Sequence, residues 1–249
     1  MPRFTPFRLA AACALVAVLS LSIVSTAAAK GLSADLRVVG KKGRVLTEKR
    51  VGARTTAVKT SPRARCFGPE NGGSGKPVSI RGNTAMGLLA RASKSTPRLR
   101  PLLISDAFDF GLALCGIGGN VARAGTEESW YLKINHRAQS VGGDQARVRR
   151  GDEVVWALVT SFEYPDELWL KAPRRARAGK AFTVRVFAYD GSGKRRPVKG
   201  AKVTGAKSRT RADGRTKVRL PGPRRLIARK GQEIPSAKVA VCVGGRCPK

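Results

Sequence analysis

The apolar and polar positions give the chain three textures. Leu9 to Val24 is a run of apolar residues broken by two serines and no charge. Residues 34–163 mix strand patterns with a single helical one. Residues 167–245 read as short strands and turns only. In the middle region, Leu36-Arg37-Val38-Val39 opens a strand, Gly40 to Gly43 is a basic turn, and Val45 to Val51 returns. Asn83 is read as the cap of a helix reaching about Ser93, because Met86, Leu89 and Ala90 fall at i, i+3 and i+4. Trp130, Leu132 and Ile134 alternate onto one face of a strand, and Val154 to Val159 is apolar on both faces, as a central strand should be. Pro165 disfavours helix at Tyr164 and marks a boundary.

In the third region Phe182, Val184, Val186 and Ala188 share a strand face. Further strands are expected over 198–203, 209–211, 215–220, 226–229 and 238–243, with Asp213-Gly214 as a hairpin turn. The expected fold class is mainly β. An α+β domain with one helix (30–163) precedes an antiparallel β-sandwich (164–249).

Residues 1–29 have the form of a secretory signal peptide. Arg3 and Arg8 precede the apolar run, and Ala27 and Ala29 fit an A-x-A cleavage site. The run is short for a membrane span. No later stretch approaches that length, so no integral membrane segment is expected after cleavage. Cleavage after Ala29 leaves Cys66, Cys115, Cys242 and Cys247. An even set in an exported chain reads as disulfides, with three pairings open. The local pairing, Cys66 with Cys115 and Cys242 with Cys247, respects the boundary at Pro165. The spacings do not suit a metal site, and none is expected.

Charge sharpens the picture. Among 249 residues, 49 Lys and Arg stand against 16 Asp and Glu, a net charge of +33. Residues 30–163 hold 23 basic and 11 acidic residues, and residues 164–249 hold 24 and five. Arg215, Lys217 and Arg219 should point to one side of a strand and Thr216, Val218 and Leu220 to the other, giving a basic face over an apolar one. Such a face attracts polyanions such as an anionic cell-wall polymer or a glycan. The excess of Arg over Lys also fits a GC-rich coding background. Specific nucleic-acid binding is not expected, since aromatics make up only 6% of residues.

Catalytic patterns fail. Gly75-Lys76 and Gly193-Lys194 lack the rest of a phosphate-binding loop. His136 is the single histidine, with no Gly-x-Ser-x-Gly to partner it. Asp106 with Asp109, and Glu127 with Glu128, are paired only by nearness in sequence. The chain is read as non-enzymatic, with no cofactor.

Two motifs carry a resemblance. Trp130-Tyr131-Leu132-Lys133-Ile134-Asn135 and Gly151-Asp152-Glu153-Val154-Val155-Trp156, together with the helix start at Asn83 to Leu89, resemble the transcobalamin-like C-terminal domain of bacterial surface proteins. That resemblance implies a β-grasp-like fold over about 34–163. It also implies a ligand rim at Trp130, Tyr131, Asn135 and His136, since animal relatives form the smaller domain of cobalamin carriers. The family usually has Gly after the motif Asn, where this chain has His136. Ala178 to Val184, Pro197 to Val203 and Ala212 to Thr216 resemble bacterial immunoglobulin-like or carboxypeptidase-regulatory-like modules. The expected function is an extracellular or wall-associated binding or adhesion module, held to anionic polymers by basic faces. The alternative is a binder of a small, cobalamin-like molecule near Trp130 and His136. A glycan-active enzyme stands third.

Overall fold

The computed structural model describes residues 31–248. The expected signal peptide, residues 1–29, and its expected cleavage point lie outside the described residues. From Ser33–Gly40 (β1) the chain turns back through Arg44–Gly52 (β2) and crosses a small hairpin, Thr56–Lys59 (β3) with Pro77–Ile80 (β4). The helix Ala85–Ser95 (α1) follows. Next come Leu102–Phe108 (β5), Gly111–Ile117 (β6), Asn120–Val121 (β7), Ser129–Ile134 (β8), Arg137–Ala138 (β9) and Glu153–Val159 (β10). The main sheet has the order β2-β1-β10-β8-β9, with β1 and β10 parallel at its centre and antiparallel neighbours outside them. Reversed outer hairpins, a parallel central pair and one crossing helix make a β-grasp-like arrangement.

Helix α1 begins one residue later than its sequence suggests. The cap is Thr84, not Asn83: Thr84 is extended, and its side chain accepts a hydrogen bond from the Gly87 N–H at 3.1 Å. The Asn83 carbonyl instead accepts from Val148 N–H. The helix buries Met86, Leu88 and Leu89 against one face of the main sheet, where Leu36, Trp130, Leu132, Trp156 and Leu158 meet them. Burying each such side chain is worth about 1.5–3 kcal/mol. The opposite sheet face is also covered. Val39, Tyr131, Val155, Ala157 and Val159 pack with Ile234, which comes from the third texture of the sequence.

That C-terminal region contains Glu167–Lys171 (β11), Arg175–Ala176 (β12), Ala181–Tyr189 (β13), Arg195–Pro197 (β14), Lys202–Val203 (β15), Arg215–Arg219 (β16), Arg224–Leu226 (β17), Ala228–Arg229 (β18) and Val239–Val243 (β19). Its small sheets close over Leu168, Val184, Val186, Val218, Leu220 and Val241. Two expected strands are shorter or missing. The run 198–203 is interrupted at Gly200, whose φ of 82° belongs to a turn, leaving only Lys202–Val203 as strand. Residues 209–211 form no strand. The Thr210 hydroxyl is tied to the 198–201 turn, donating to Val198 O and accepting from Ala201 N–H. The run 226–229 is split between β17 and β18.

Both local disulfides are formed, Cys66–Cys115 and Cys242–Cys247. No helix among the described residues is long and apolar enough to cross a membrane.

Candidate functional site

Alternation along β8 sends its side chains two ways. Trp130, Leu132 and Ile134 enter the core beneath α1, while Tyr131 and Lys133 turn toward the C-terminal region. β9 pairs only with Lys133 and Ile134. Beyond them, Leu132 O accepts from Gln139 N–H at 3.0 Å. Among the described residues no strand covers the edge of β8 from Ser129 to Tyr131 on the side away from β10.

A groove with a cavity volume of about 350 Å³ opens along that edge. Trp130, Trp156, Phe67, Phe162, Tyr164 and Val141 are among its lining residues. Phe67 and Phe162 are each 61% exposed, an unusual state for phenylalanine, and Tyr164 and Val141 are also exposed. Tyr164 lies flat on Tyr131, with ring centroids 4.3 Å apart and planes 3° from parallel. Two buried polar atoms of lining residues, Trp130 Nε1 and Ser129 Oγ, have no hydrogen-bond partner among the described residues. Such groups are rare in native interiors. Gly143 lets the Trp156 ring sit close: a Cβ there would meet ring carbon at 2.5 Å. The Tyr131 hydroxyl is pushed up to about 12, chiefly by burial and further by negative charge from Tyr164, Asp166 and Glu167. It stays a neutral donor at any physiological pH.

The expected rim is divided. Trp130 and Tyr131 border the groove, whereas Asn135 and His136 do not. Asn135 and His136 form the β8–β9 turn with φ of 50° and 68°. A left-handed backbone at the His136 position favours glycine over any residue with a Cβ. Here Asn135 Nδ2 donates to Asp152, and its Oδ1 accepts from Glu153 N–H at 2.9 Å. The His136 ring stacks on Tyr189 at 3.9 Å, and its Nδ1 lies 3.0 Å from Glu167 Oε2.

Around His136 lies a buried charge cluster that sequence reading missed. Arg37, Lys133 and Glu167 are nearly inaccessible to solvent. Arg37 pairs with Glu167 and Glu153 and donates to Pro235 O. Lys133 donates to the carbonyls of Tyr189 and Asp190, both at 2.9 Å, and lies 3.8 Å from Glu167. Burial alone would raise the Glu167 carboxyl, but the His136 hydrogen bond and the charges of Arg37, His136 and Lys133 hold it below its ordinary value. Burial drives Lys133 down against the pull of Glu167. Ligand atoms of His136, Glu153 and Glu167 fall within 4.8 Å of one another. Arg37 faces both carboxylates, however, so the arrangement is an ion-pair network joining the main sheet to β11. The only sequence sign was the placement of Arg37 and Lys133 inside otherwise apolar strands.

Of the four candidate carboxylates of the sequence, Asp106 and Glu128 are engaged by local partners. Asp106 accepts from Ser74 N–H and Oγ, and Glu128 is engaged by Arg123. Arg215, Lys217 and Arg219 stand exposed on β16, while Thr216, Val218 and Leu220 are buried, which is the alternation expected.

No protein-family model matches the chain, and no curated protein does. Among solved structures, haptocorrin in complex with Cbi matches over 51% of this chain and 25% of its own, at 16% identity and a TM-score of 0.32. The chain thus spans about a quarter of that protein's length.

Proposed function

We propose that the chain is an exported binder of a small, planar, largely apolar molecule that enters the groove along β8. The supporting observation is the conjunction of exposed Phe67, Phe162 and Tyr164 in one concavity. Aromatic faces held open to water gain by stacking on a flat ligand. Export agrees with two disulfides, which persist in oxidising compartments. In this reading residues 30–163, together with Tyr164, carry the ligand. Residues 164–249, taken as an immunoglobulin-like module, brace the second face of the main sheet.

The test uses an anilinonaphthalene sulfonate dye and cobalamin as probes, followed by tryptophan quenching and equilibrium dialysis. Dye binding should weaken about tenfold in Phe162→Ala and again in Tyr164→Ala, a change of about 1.4 kcal/mol each, with unchanged circular dichroism. Cobalamin binding with the same dependence would narrow the ligand class to corrinoids. Dye binding untouched by both substitutions, or binding of neither probe, would overturn the proposal.

A further inference from the structure

The strongest charged concavity lies on the C-terminal region and shares no lining residue with the aromatic groove. Its cavity volume is about 710 Å³. The cations of β16, Arg215, Lys217 and Arg219, meet Lys207, Arg209 and Arg211 from the preceding segment in its lining. The bridge between Ala206 and Val218 fixes that segment beside β16. Sequence alternation pointed to the strand but not to the second set of cations, because 207–211 has no strand period of its own.

The lining contains one acid, Asp213, and it is already engaged. It accepts from Arg215 N–H at 3.0 Å and lies 3.6 Å from Arg215 Nε. Arg209 donates to Gly200 O. Lys207, Arg211, Lys217 and Arg219 have no ion-pair partner among the described residues. Their charge is therefore uncompensated within the groove. The strand cations are mounted on a rigid support, since Thr216 and Val218 between them are buried. Same-face positions on a strand repeat about every 6.6 Å.

We propose that this groove binds an extended anionic polymer whose charges are phosphates. Four of the six cations are arginines, whose planar guanidinium matches phosphate in a two-pronged pair. The regular spacing of β16 suits a chain that repeats its charge, more than a single small anion. No aromatic side chain lines the groove, so bases would find nothing to stack on; recognition is of the phosphodiester backbone.

The experiment measures affinity of the purified chain for poly(glycerol phosphate) across a salt series. Two triple variants of equal charge change are compared. One removes groove cations: Arg211→Ser, Lys217→Ser and Arg219→Ser. The other removes exposed cations on and just beyond α1: Arg91→Ser, Lys94→Ser and Arg98→Ser. The groove triple should weaken binding by on the order of tenfold or more and flatten the slope of log affinity against log salt by about 2, at about 0.7 per lost phosphate contact. The α1 triple should change affinity less than about threefold, by loss of diffuse attraction alone. Equal losses in the two triples would overturn the proposal, reducing the groove to net charge. Polyglutamate or heparin binding as tightly as the phosphate polymer would overturn its phosphate selectivity.

Discussion

The N-terminal and C-terminal regions use the same alternation rule and reach opposite surfaces. In the first, β8 hides its side chains on both faces, under α1 and under the C-terminal region, and leaves an apolar edge open beside Phe162 and Tyr164. In the second, β16 hides one face over small branched residues and presents cations on the other. What differs is how many layers cover the sheet. A strand sandwiched twice can expose only its edge, so any site there is narrow and meets unpaired backbone groups. A strand covered once can display a charged face.

The contrast can be broken most severely at the charge cluster that joins the two regions. Glu167→Gln leaves Arg37 buried without its full partner and should lower unfolding free energy by about 3–5 kcal/mol in chemical denaturation. The effect is pH-dependent with a definite sign. The folded-state carboxyl lies below its ordinary value near 4.5, so its contribution is complete above pH 4.5 and fades as pH falls through the lowered value. The gap between wild type and Glu167→Gln should therefore narrow on acidification below pH 4.5. A gap that widens would rule out an ionised Glu167.

The disulfides sharpen the comparison. Cys66–Cys115 closes a separation of 49 residues and Cys242–Cys247 one of five. Chain-entropy reasoning assigns them about 4 and about 2 kcal/mol. Paired Cys→Ser variants should reproduce that order in denaturant midpoints, and the reverse order would show that the short loop carries the greater constraint. Thr84→Ala should cost about 1 kcal/mol by removing the cap of α1, measured the same way. The smallest test is at the β8–β9 turn. His136→Gly and His136→Ala both lose the Tyr189 stack, yet only Ala keeps a side chain at φ 68°. The Gly variant should be the more stable by about 1 kcal/mol. Equal stabilities would mean the turn relaxes.

Much of this was legible in the chain. The strands β1, β2, β8 and β10 and the helix follow from the apolar pattern, and the basic face of β16 follows from its alternation. Of the three cysteine pairings the sequence left open, the local one preferred there is the one formed. The aromatic groove was only half visible, through Trp130 and Tyr131. Phe67, Phe162 and Tyr164 reach it from loops, where no period announces a shared surface. The cluster of Arg37, Lys133 and Glu167 was hidden for a related reason. Each sits at a position that alternation assigns to a sheet face, and a face reads as solvent until another layer is known to cover it. The boundary at Pro165 was placed by backbone preference, which says nothing about whether side chains cross it.

The crossing has a consequence for inheritance and engineering. Arg37 reaches Glu167 and the carbonyl of Pro235, and Lys133 reaches the carbonyls at Tyr189 and Asp190. A gene cut near Pro165 would strand two cations in one product and a buried carboxylate in the other. Unlike beads on a string, these halves cannot be shuffled, duplicated or grafted singly without rewriting the seam, so they should be transmitted as a pair.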